Sequence, residues 1–380
     1  MPAKEKMPES MYDYIDTNGF LSSSDPTFLV KLRLVIPHEC SRDRILNQKI
    51  TKANNMEHVG IEGRNLLEMR ALNSSIDHSD WSEMGLDLER QASLLRQGNS
   101  AMISEDFFLN DQATHLSYIG KHEIDRTNFE IGEVLGGGNF GSVFNGNVND
   151  LFHPGSNTKV AIKTVNNAFD GSHLHALMCE IKMLEKIDNH LNIVNMLGAC
   201  TTQLSSGQIW LLLEFCPHGD MKSFLLKNQE ILLQSLESKI SSNGMDERLF
   251  IKWAHSISKG MEFLLSKRIM HGDLAARNIL IGTHQGDNKN YVAKIGDFGL
   301  SKTFYDKTTY EKQDRKALPW KWMDIYYLET GTFTMNSDVW SFGVVLWEML
   351  SLGRLPYSGE DAKQTIEKIK SGFRQGHLKI

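Results

Sequence analysis

The pattern of hydrophobic and polar positions changes near residue 129 and becomes that of a small β-rich lobe. Three runs alternate apolar and polar residues between turns of Gly, Asn, Asp and Pro, which is typical of antiparallel strands. They cover residues 129–135, 142–148 and 159–165. A helical pattern follows over 173–187, and apolar runs at 193–197 and 210–215 predict further strands. We therefore expect a sheet with one helix.

A second, mainly helical lobe is predicted after residue 245. Asp246 can cap a long helix, since its carboxylate can accept a hydrogen bond from a free backbone N–H group of the first turn. The apolar face of this helix consists of Phe250, Ala254, Ile257, Met261 and Leu264. Between the lobes, the polar and serine-containing stretch 228–244 predicts a mobile loop inserted in the domain.

Residues 1–120 are rich in Asn, Ser, Asp and Met, and only two segments there are periodic. Residues 28–36 alternate as in a half-buried strand, and residues 86–97, ended by Gly98, predict a short amphipathic helix. We therefore expect an N-terminal region at 1–120 and one domain at 121–380. Within the domain, we expect an N-lobe at about 129–216 and a C-lobe at 246–380.

Composition narrows the class of protein. The 380 residues are 41% hydrophobic and 23% charged with a formal net charge of −6, as in a globular chain that needs no nucleic acid as a partner. Four cysteines, Cys40, Cys179, Cys200 and Cys216, form no metal-ligand cluster and indicate a reducing compartment. We see no signal peptide, and the most apolar stretch, 339–352, falls short of the roughly 18 residues that cross a bilayer.

A glycine-rich turn lies between the first two predicted strands, in Leu135-Gly-Gly-Gly-Asn-Phe-Gly-Ser-Val143. Gly136, Gly138 and Gly141 lack Cβ atoms, which would let backbone N–H groups approach the oxygens of a phosphate. The same spacing occurs in dinucleotide-binding folds, where a helix follows the glycines and an acidic residue lies about 20 positions further on. Here a β-type run follows instead, so we exclude the dinucleotide interpretation.

Lys163 ends the strand-like run Val160-Ala-Ile-Lys163, and Glu180 lies in the predicted helix that follows. A lysine at the end of a strand is usually solvated and without further role. The order of glycine turn, strand lysine and helix glutamate changes this interpretation, because an ion pair could hold Lys163 against the phosphates of a nucleotide.

Two later segments carry the clearest signal. His271-Gly-Asp-Leu-Ala-Ala-Arg-Asn278 and Lys294-Ile-Gly-Asp-Phe-Gly299 resemble the catalytic loop and the DFG motif of protein kinases. The resemblance covers about residues 120–374. It implies an α+β, bilobal protein-kinase fold with a small antiparallel β lobe, one helix in that lobe, and a mainly helical C-lobe that lacks the family's last helices.

The resemblance also implies roles for individual residues and two cofactors, ATP and Mg²⁺. Asp273 matches the base that accepts the substrate's hydroxyl proton, and Arg277 is the cation of the catalytic loop. Asn278 and Asp297 match the magnesium ligands, which suit that ion because their oxygen atoms are hard donors.

The adenine site is implied in the same way. Val143, Ala161 and Leu280 match the apolar residues on both faces of the base, and Leu135 precedes the glycine turn. Residues 214–216 match the hinge between the lobes, where the backbone of Glu214 and Cys216 pairs with adenine. Leu213 stands at the position called the gatekeeper.

Tyrosine specificity has its own signature. Serine/threonine kinases carry a lysine two residues after the catalytic Asp, whereas this chain has Ala275 there and Arg277 two residues later. Residues 318–323, Leu-Pro-Trp-Lys-Trp-Met, resemble the platform on which tyrosine kinases place a phenol ring. The resemblance therefore implies that the substrates are tyrosine-containing proteins.

Residues 190–201 and 214–216 look most like growth-factor receptors with a split kinase domain, of the fibroblast, platelet-derived, vascular endothelial or torso-like type. This implies a juxtamembrane-like role for residues 1–120, a place on the cytoplasmic side of the plasma membrane, self-association through the receptor, and SH2-type readers of phosphotyrosine. Tyr12, Tyr14 and Tyr118 are candidate docking sites, although an exposed tyrosine in a polar tail is more often incidental.

The chain departs from the family pattern in two places. Gly272 stands where kinases carry the arginine that binds a phosphorylated activation loop, here the loop with Tyr305 and Tyr310. Asp324-Ile-Tyr326 stands where the family has Ala-Pro-Glu, whose glutamate pairs with an arginine of a later helix. These departures leave a second hypothesis open, a catalytically weak or inactive kinase-like scaffold or regulator.

Overall fold

The computed structural model describes residues 108–137, 141–165, 171–238, 245–284, 287–297, 319–331 and 333–373, together with residues 93, 97, 98 and 103. The predicted strand at 28–36 lies outside the described residues, as do Tyr12, Tyr14, Tyr305 and Tyr310. Of the predicted helix at 86–97, Ser93 and Gln97 are described, and both are helical. Gly98 is also described and lies outside the helix.

The N-lobe contains a five-stranded antiparallel sheet and one long helix, as the sequence predicts. The strands are β1 (Phe129–Gly137), β2 (Gly141–Asn149), β3 (Asn157–Val165), β4 (Met196–Cys200) and β5 (Trp210–Glu214), and the helix is α1 (Gly171–Lys186). Their order in the sheet is β1-β2-β3-β5-β4. The buried side chains of Val160, Ile162 and Leu212 lie on one face of the sheet together with Phe129 and Trp210, whose rings meet edge to face at 5.9 Å.

One predicted strand begins later than expected. The apolar run at 193–197 predicts a strand over its whole length, but β4 begins at Met196. The Asn195 side chain accepts a hydrogen bond from the N–H of His190 at 2.8 Å and donates one to the carbonyl of His190 at 3.2 Å. These bonds close a turn before β4, so local side-chain bonding prevails over the apolar pattern.

The C-lobe is mainly helical in the described residues. Its helices are α2 (Met221–Lys227), α3 (Gln229–Ser238), α4 (Glu247–Ser266), α5 (Ile325–Thr330), α6 (Met335–Leu350) and α7 (Ala362–Lys370), with a hairpin of β6 (Ile279–His284) and β7 (Asp287–Ile295). Asp246 caps α4 as predicted, because its side chain accepts the N–H of Arg248 at 2.9 Å. The buried residues Phe250, Ile257, Met261 and Leu264 face the core of this lobe.

The insert at 228–244 is only partly what the sequence predicts. The prediction of a loop is wrong for α3, which covers most of the insert's first two thirds. Leu232 and Ser235 are buried there, and Leu236 packs against the same core. Their spacing of three to four residues gives this segment one apolar helical face, which its polar composition obscures.

Residues 108–123 pack against the N-lobe. The described part of the N-terminal region contains a 3₁₀ helix, Leu109–His115, and Ala113 and Leu116 form a buried cluster with Cys179 and Met183 of α1. We call residues 108–123 the N-terminal segment. Its other end is fixed by Glu123, which accepts a hydrogen bond from the N–H of Thr201 at 2.6 Å.

The N-terminal segment also contacts the C-lobe. Leu109 donates its N–H to the carbonyl of Arg268 at 2.8 Å, and Asn110 exchanges two hydrogen bonds with the backbone of Met270, each at 2.9 Å. Tyr118 is 7% exposed, and its hydroxyl donates to Glu123. The hypothesis of an accessible docking site at Tyr118 is therefore wrong for the folded chain. No helix in the described part of the chain is long and apolar enough to cross a membrane.

Candidate active site

Three charged side chains from separate elements meet at the entrance between the lobes. Lys163, on β3, donates to both carboxylate oxygens of Glu180 on α1, at 3.0 and 2.9 Å. The same ammonium group lies 2.6 Å from the carboxylate of Asp297, which follows β7. The predicted ion pair between strand and helix is thus present, and the structure adds Asp297 to it.

The electrostatics of this trio favour the charged forms of Lys163 and Asp297, whereas burial raises the pKa of Glu180. Burial would lower the pKa of Lys163, but the carboxylates of Asp297 and Glu180 outweigh it, and the pKa is raised. Lys163 in turn lowers the pKa of Asp297. Asp297 is 46% exposed at its side chain, while that of Glu180 is 4% exposed. An ionised carboxylate of Asp297 therefore faces the open space between the lobes.

The catalytic-loop residues surround one carboxylate, that of Asp273. Arg277 donates to one of its oxygens at 2.5 Å, and the amide nitrogen of Asn278 donates to the other at 2.9 Å. A 3₁₀ turn, Ala276–Asn278, brings both donors back towards Asp273. Because the side-chain nitrogen of Asn278 points towards Asp273, the amide oxygen of Asn278 is the atom that can face a cation. The carboxylate of Asp297 can face the same cation. Oxygen donors of this kind fit Mg²⁺.

The catalytic loop is attached to α6 by a buried aspartate. Asp338 accepts the N–H of His271 at 2.7 Å and that of Gly272 at 2.8 Å. Gly272 has a φ of +73°, a left-handed conformation that costs other residues energy. His271 accepts the N–H of Asp273 through Nδ1 at 3.2 Å, so Nε2 carries the proton and donates to the carbonyl of Gly296 at 3.1 Å. The loop is thereby joined to the residue preceding Asp297.

The residues predicted to line a nucleotide site lie on two sheets, Leu135, Val143 and Ala161 in the N-lobe sheet and Leu280 in the β6–β7 hairpin. Val143 on β2 pairs with Lys163 on β3, and Ala161 on β3 pairs with Leu213 on β5. Leu280 lies on β6 and pairs with Lys294. Leu135 and Gly136, at the end of β1, are exposed, whereas Gly141 and Val143 are half-buried. Gly138 lies outside the described residues.

The hinge contains a charged cluster that the sequence does not predict. Glu214 accepts from the buried Lys294 at 2.9 Å and from the side-chain nitrogen of Asn195 at 2.9 Å. Cys216 is buried, and burial raises the pKa of its thiol to about 12. The apolar residues Val292, Ala293 and Ile295 around Lys294 would have been the only local signal, because buried lysines are almost always paired.

A family model described as "Protein tyrosine and serine/threonine kinase" matches residues 129–379 of this chain. The chain belongs to the protein kinase family. The bilobal architecture described above is that of a kinase domain.

The relatives of this kinase include growth-factor receptors. It is 32% identical over 305 residues to a vascular endothelial growth factor receptor 3 of Danio rerio, a match that covers 70% of this chain and 22% of the receptor. It is 37% identical over 248 residues to a fibroblast growth factor receptor homolog 2 of Drosophila melanogaster, covering 62% and 22%. It is 33% identical over 255 residues to a fibroblast growth factor receptor of Hydra vulgaris, covering 66% and 29%. The matches thus span less than a third of these receptors.

The kinase's segment Pro319–Met323, which we call the platform, touches the catalytic loop. The guanidinium of Arg277 lies 4.4 Å from the ring centroid of Trp322. The indole N–H of Trp322 donates to Glu348 of α6 at 2.9 Å, and the same carboxylate accepts the N–H of Ala276 at 2.8 Å. Glu348 therefore joins the platform to the catalytic loop, a role that the sequence patterns did not indicate.

Proposed function

We propose that this kinase transfers the γ-phosphoryl group of ATP, with Mg²⁺, to the hydroxyl group of tyrosine in protein substrates. The observation that carries the proposal is the contact of Arg277 with both Asp273 and the ring of Trp322. With Arg277 in contact with both, the candidate base would act beside the platform, where a phenol ring of the substrate would lie. The Ala275 and Arg277 pattern and the similarity to growth-factor receptors support tyrosine as the acceptor.

The chain's own groups would bind, orient and deprotonate in this reaction. The backbone at Gly136, Gly138 and Gly141 would hold the phosphates, and Lys163, kept in place by Glu180, would pair with them. Asp273 would accept the proton of the tyrosine hydroxyl, with Arg277 and Asn278 fixing its carboxylate.

Asn278 and Asp297 would hold Mg²⁺ through their free oxygen atoms. When bound, the ion neutralises charge on the phosphates during transfer. The adenine ring would lie between Val143 and Ala161 on one side and Leu280 on the other, near Leu135. The backbone at Glu214 and Cys216 would pair with its polar edge.

We further propose that the chain is the cytoplasmic part of a receptor in growth-factor-type signalling. Its N-terminal region, 1–120, would be juxtamembrane-like, and the kinase domain would occupy 121–380. The protein would then lie on the cytoplasmic side of the plasma membrane, self-associate through the receptor and present phosphotyrosine to SH2-type readers. Similarity to three growth-factor receptors supports this.

A second candidate function is that of a weak or inactive kinase-like scaffold. Gly272 favours it, because glycine offers no cation to a phosphorylated activation loop. The groups that touch the chemistry, Lys163, Glu180, Asp273, Asn278 and Asp297, are all present, and this favours the enzyme.

One assay tests the proposal. Purified protein is incubated with ATP, Mg²⁺ and a tyrosine-containing polymer, and phosphotyrosine is measured against the variant Asp273→Asn. Loss of a general base typically lowers the rate by about 10²–10⁴-fold. Wild-type activity above that of the variant supports the enzyme. Equal, background signals from both proteins would favour the scaffold, and ATP binding without turnover would strengthen that conclusion.

A further inference from the structure

Asp324 is a buried acidic residue at a position where the family pattern has alanine. It is 6% exposed, and it caps α5 by accepting the N–H of Tyr327 at 2.6 Å. Its second oxygen accepts the hydroxyl of Ser337 at 2.9 Å. A buried carboxylate is costly unless hydrogen bonds compensate it. Here both oxygens have partners, one of which belongs to another helix.

Ser337 lies in the first turn of α6 and is itself held in place. Its hydroxyl accepts the N–H of Thr334 at 3.0 Å, so its proton is available for Asp324. One turn further along α6, the hydroxyl of Ser341 donates to the carbonyl of Trp322 at 2.7 Å. Ser341 therefore fastens the platform itself to α6, and Ser337 fastens Asp324, the residue that follows the platform.

The same end of α6 also holds the catalytic loop through Asp338, which follows Ser337 directly and binds the N–H groups of His271 and Gly272. Adjacent residues of one helix thus position the platform and the base-bearing loop relative to each other.

The family's usual attachment at this point is absent. Tyr326 stands at the position of the glutamate of Ala-Pro-Glu and is 51% exposed, with no carboxylate to offer. Asp324 supplies a carboxylate two residues earlier in the chain and directs it to the start of α6 rather than to a later helix.

We propose that Asp324 is a positioning residue for the tyrosine substrate, which replaces the missing glutamate by anchoring the platform to Ser337 at the start of α6. The proposal rests on the tyrosine kinase activity proposed above. Through Trp322 and Arg277, the anchored platform keeps the acceptor hydroxyl within reach of Asp273. ATP binds elsewhere and does not depend on this contact.

The test compares Asp324→Ala and Ser337→Ala with a matched control, Asp361→Ala. Asp361 also caps a helix, α7, by accepting the N–H of Gln364 at 3.0 Å, but it is exposed and distant in sequence from the platform. We expect both test variants to raise the KM for a tyrosine peptide about tenfold, because the loss of a hydrogen bond to a charged group typically weakens an interaction by about a factor of ten. The KM for ATP should not change, and Asp361→Ala should leave both constants unchanged.

Amide hydrogen exchange gives a readout that does not require activity. In the test variants, the amides of Trp322, Met323 and Tyr327 should exchange faster than in the wild type, while those in the middle of α4 keep their rates. Asp324→Ala removes the cap of α5 and could unfold that helix. If it does, the result for the milder variant Ser337→Ala decides whether the proposal holds. This milder variant removes the donor to Asp324 and the acceptor for the N–H of Thr334, and it leaves the cap of α5 by Asp324 in place.

Three outcomes would overturn the proposal. The first is a peptide KM equal to that of the wild type together with unchanged platform amides. The second is faster exchange throughout the domain, which would mean a general structural role. The third is an equal rise in the KM values for peptide and ATP. If the wild type itself forms no phosphotyrosine, the tyrosine kinase proposal fails, whereas the anchor is still decided by the exchange rates.

Discussion

The N-terminal segment should contribute to the stability of the N-lobe, and Leu116→Ala measures this. Leu116 is 3% exposed and packs with Ala113, Cys179 and Met183. The substitution removes three carbon atoms, which corresponds to about 2.4 kcal/mol at roughly 0.8 kcal/mol per buried CH₂ group. The cavity that is left adds to this, so we expect the free energy of unfolding to fall by about 2–5 kcal/mol.

The assay is equilibrium unfolding in urea, followed by fluorescence, of the wild type, Leu116→Ala and the control Ile119→Ala. Ile119 belongs to the same segment but is 68% exposed, so its truncation should change the free energy by at most about 0.5 kcal/mol. If Leu116→Ala is no more destabilising than Ile119→Ala, the segment does not form part of the folded domain. Equal midpoints for the two variants would therefore refute the reasoning.

Three further predictions concern the site and its surroundings. Glu180→Gln removes a charged partner of Lys163, and kcat/KM for ATP should fall about 10–100-fold in steady-state kinetics. Glu185→Gln on the same helix is the control, and an equal loss of kcat/KM in both variants would contradict the role of the ion pair. Gly272→Arg should increase the activation that follows activation-loop phosphorylation, compared with Gly272→Ala, which shares the unfavourable φ but has no guanidinium; equal activation of both would count against the prediction. Burial raises the pKa of Cys216 to about 12 and that of Cys179 to about 11, so both thiols stay protonated at pH 8 and alkylation should be at least about a hundredfold slower than for a free thiol. Peptide mass mapping after iodoacetamide treatment measures this rate, and rapid labelling of the native protein would disprove it.

Local patterns predicted the elements well because their causes lie within a few residues. The alternation of β1 to β3 and the cap at Asp246 are examples. The ion pair of Lys163 with Glu180 was also predictable, because both residues stand in motifs whose order is informative. In α3, Ile231, Leu232, Leu233 and Leu236 interrupt a polar stretch, and the apolar face became visible only once the core was known.

The contacts that sequence reasoning missed join residues that are far apart along the chain. Lys294 is 80 residues from Glu214, and Glu348 is 72 residues from Ala276. No local periodicity encodes such pairs, because each depends on how separate elements pack. Asp324 and Ser337 are only 13 residues apart, but their bond depends on the angle between α5 and α6, which the pattern of apolar positions does not determine.

The N-terminal segment connects the two lobes at a point away from the hinge. Its 3₁₀ helix packs on α1 through Ala113 and Leu116, while Leu109 and Asn110 are bonded to Arg268 and Met270 just before His271. Any opening of the cleft that moves α1 away from Arg268 and Met270 has to break these hydrogen bonds first, so the segment limits how far the lobes can separate at this point.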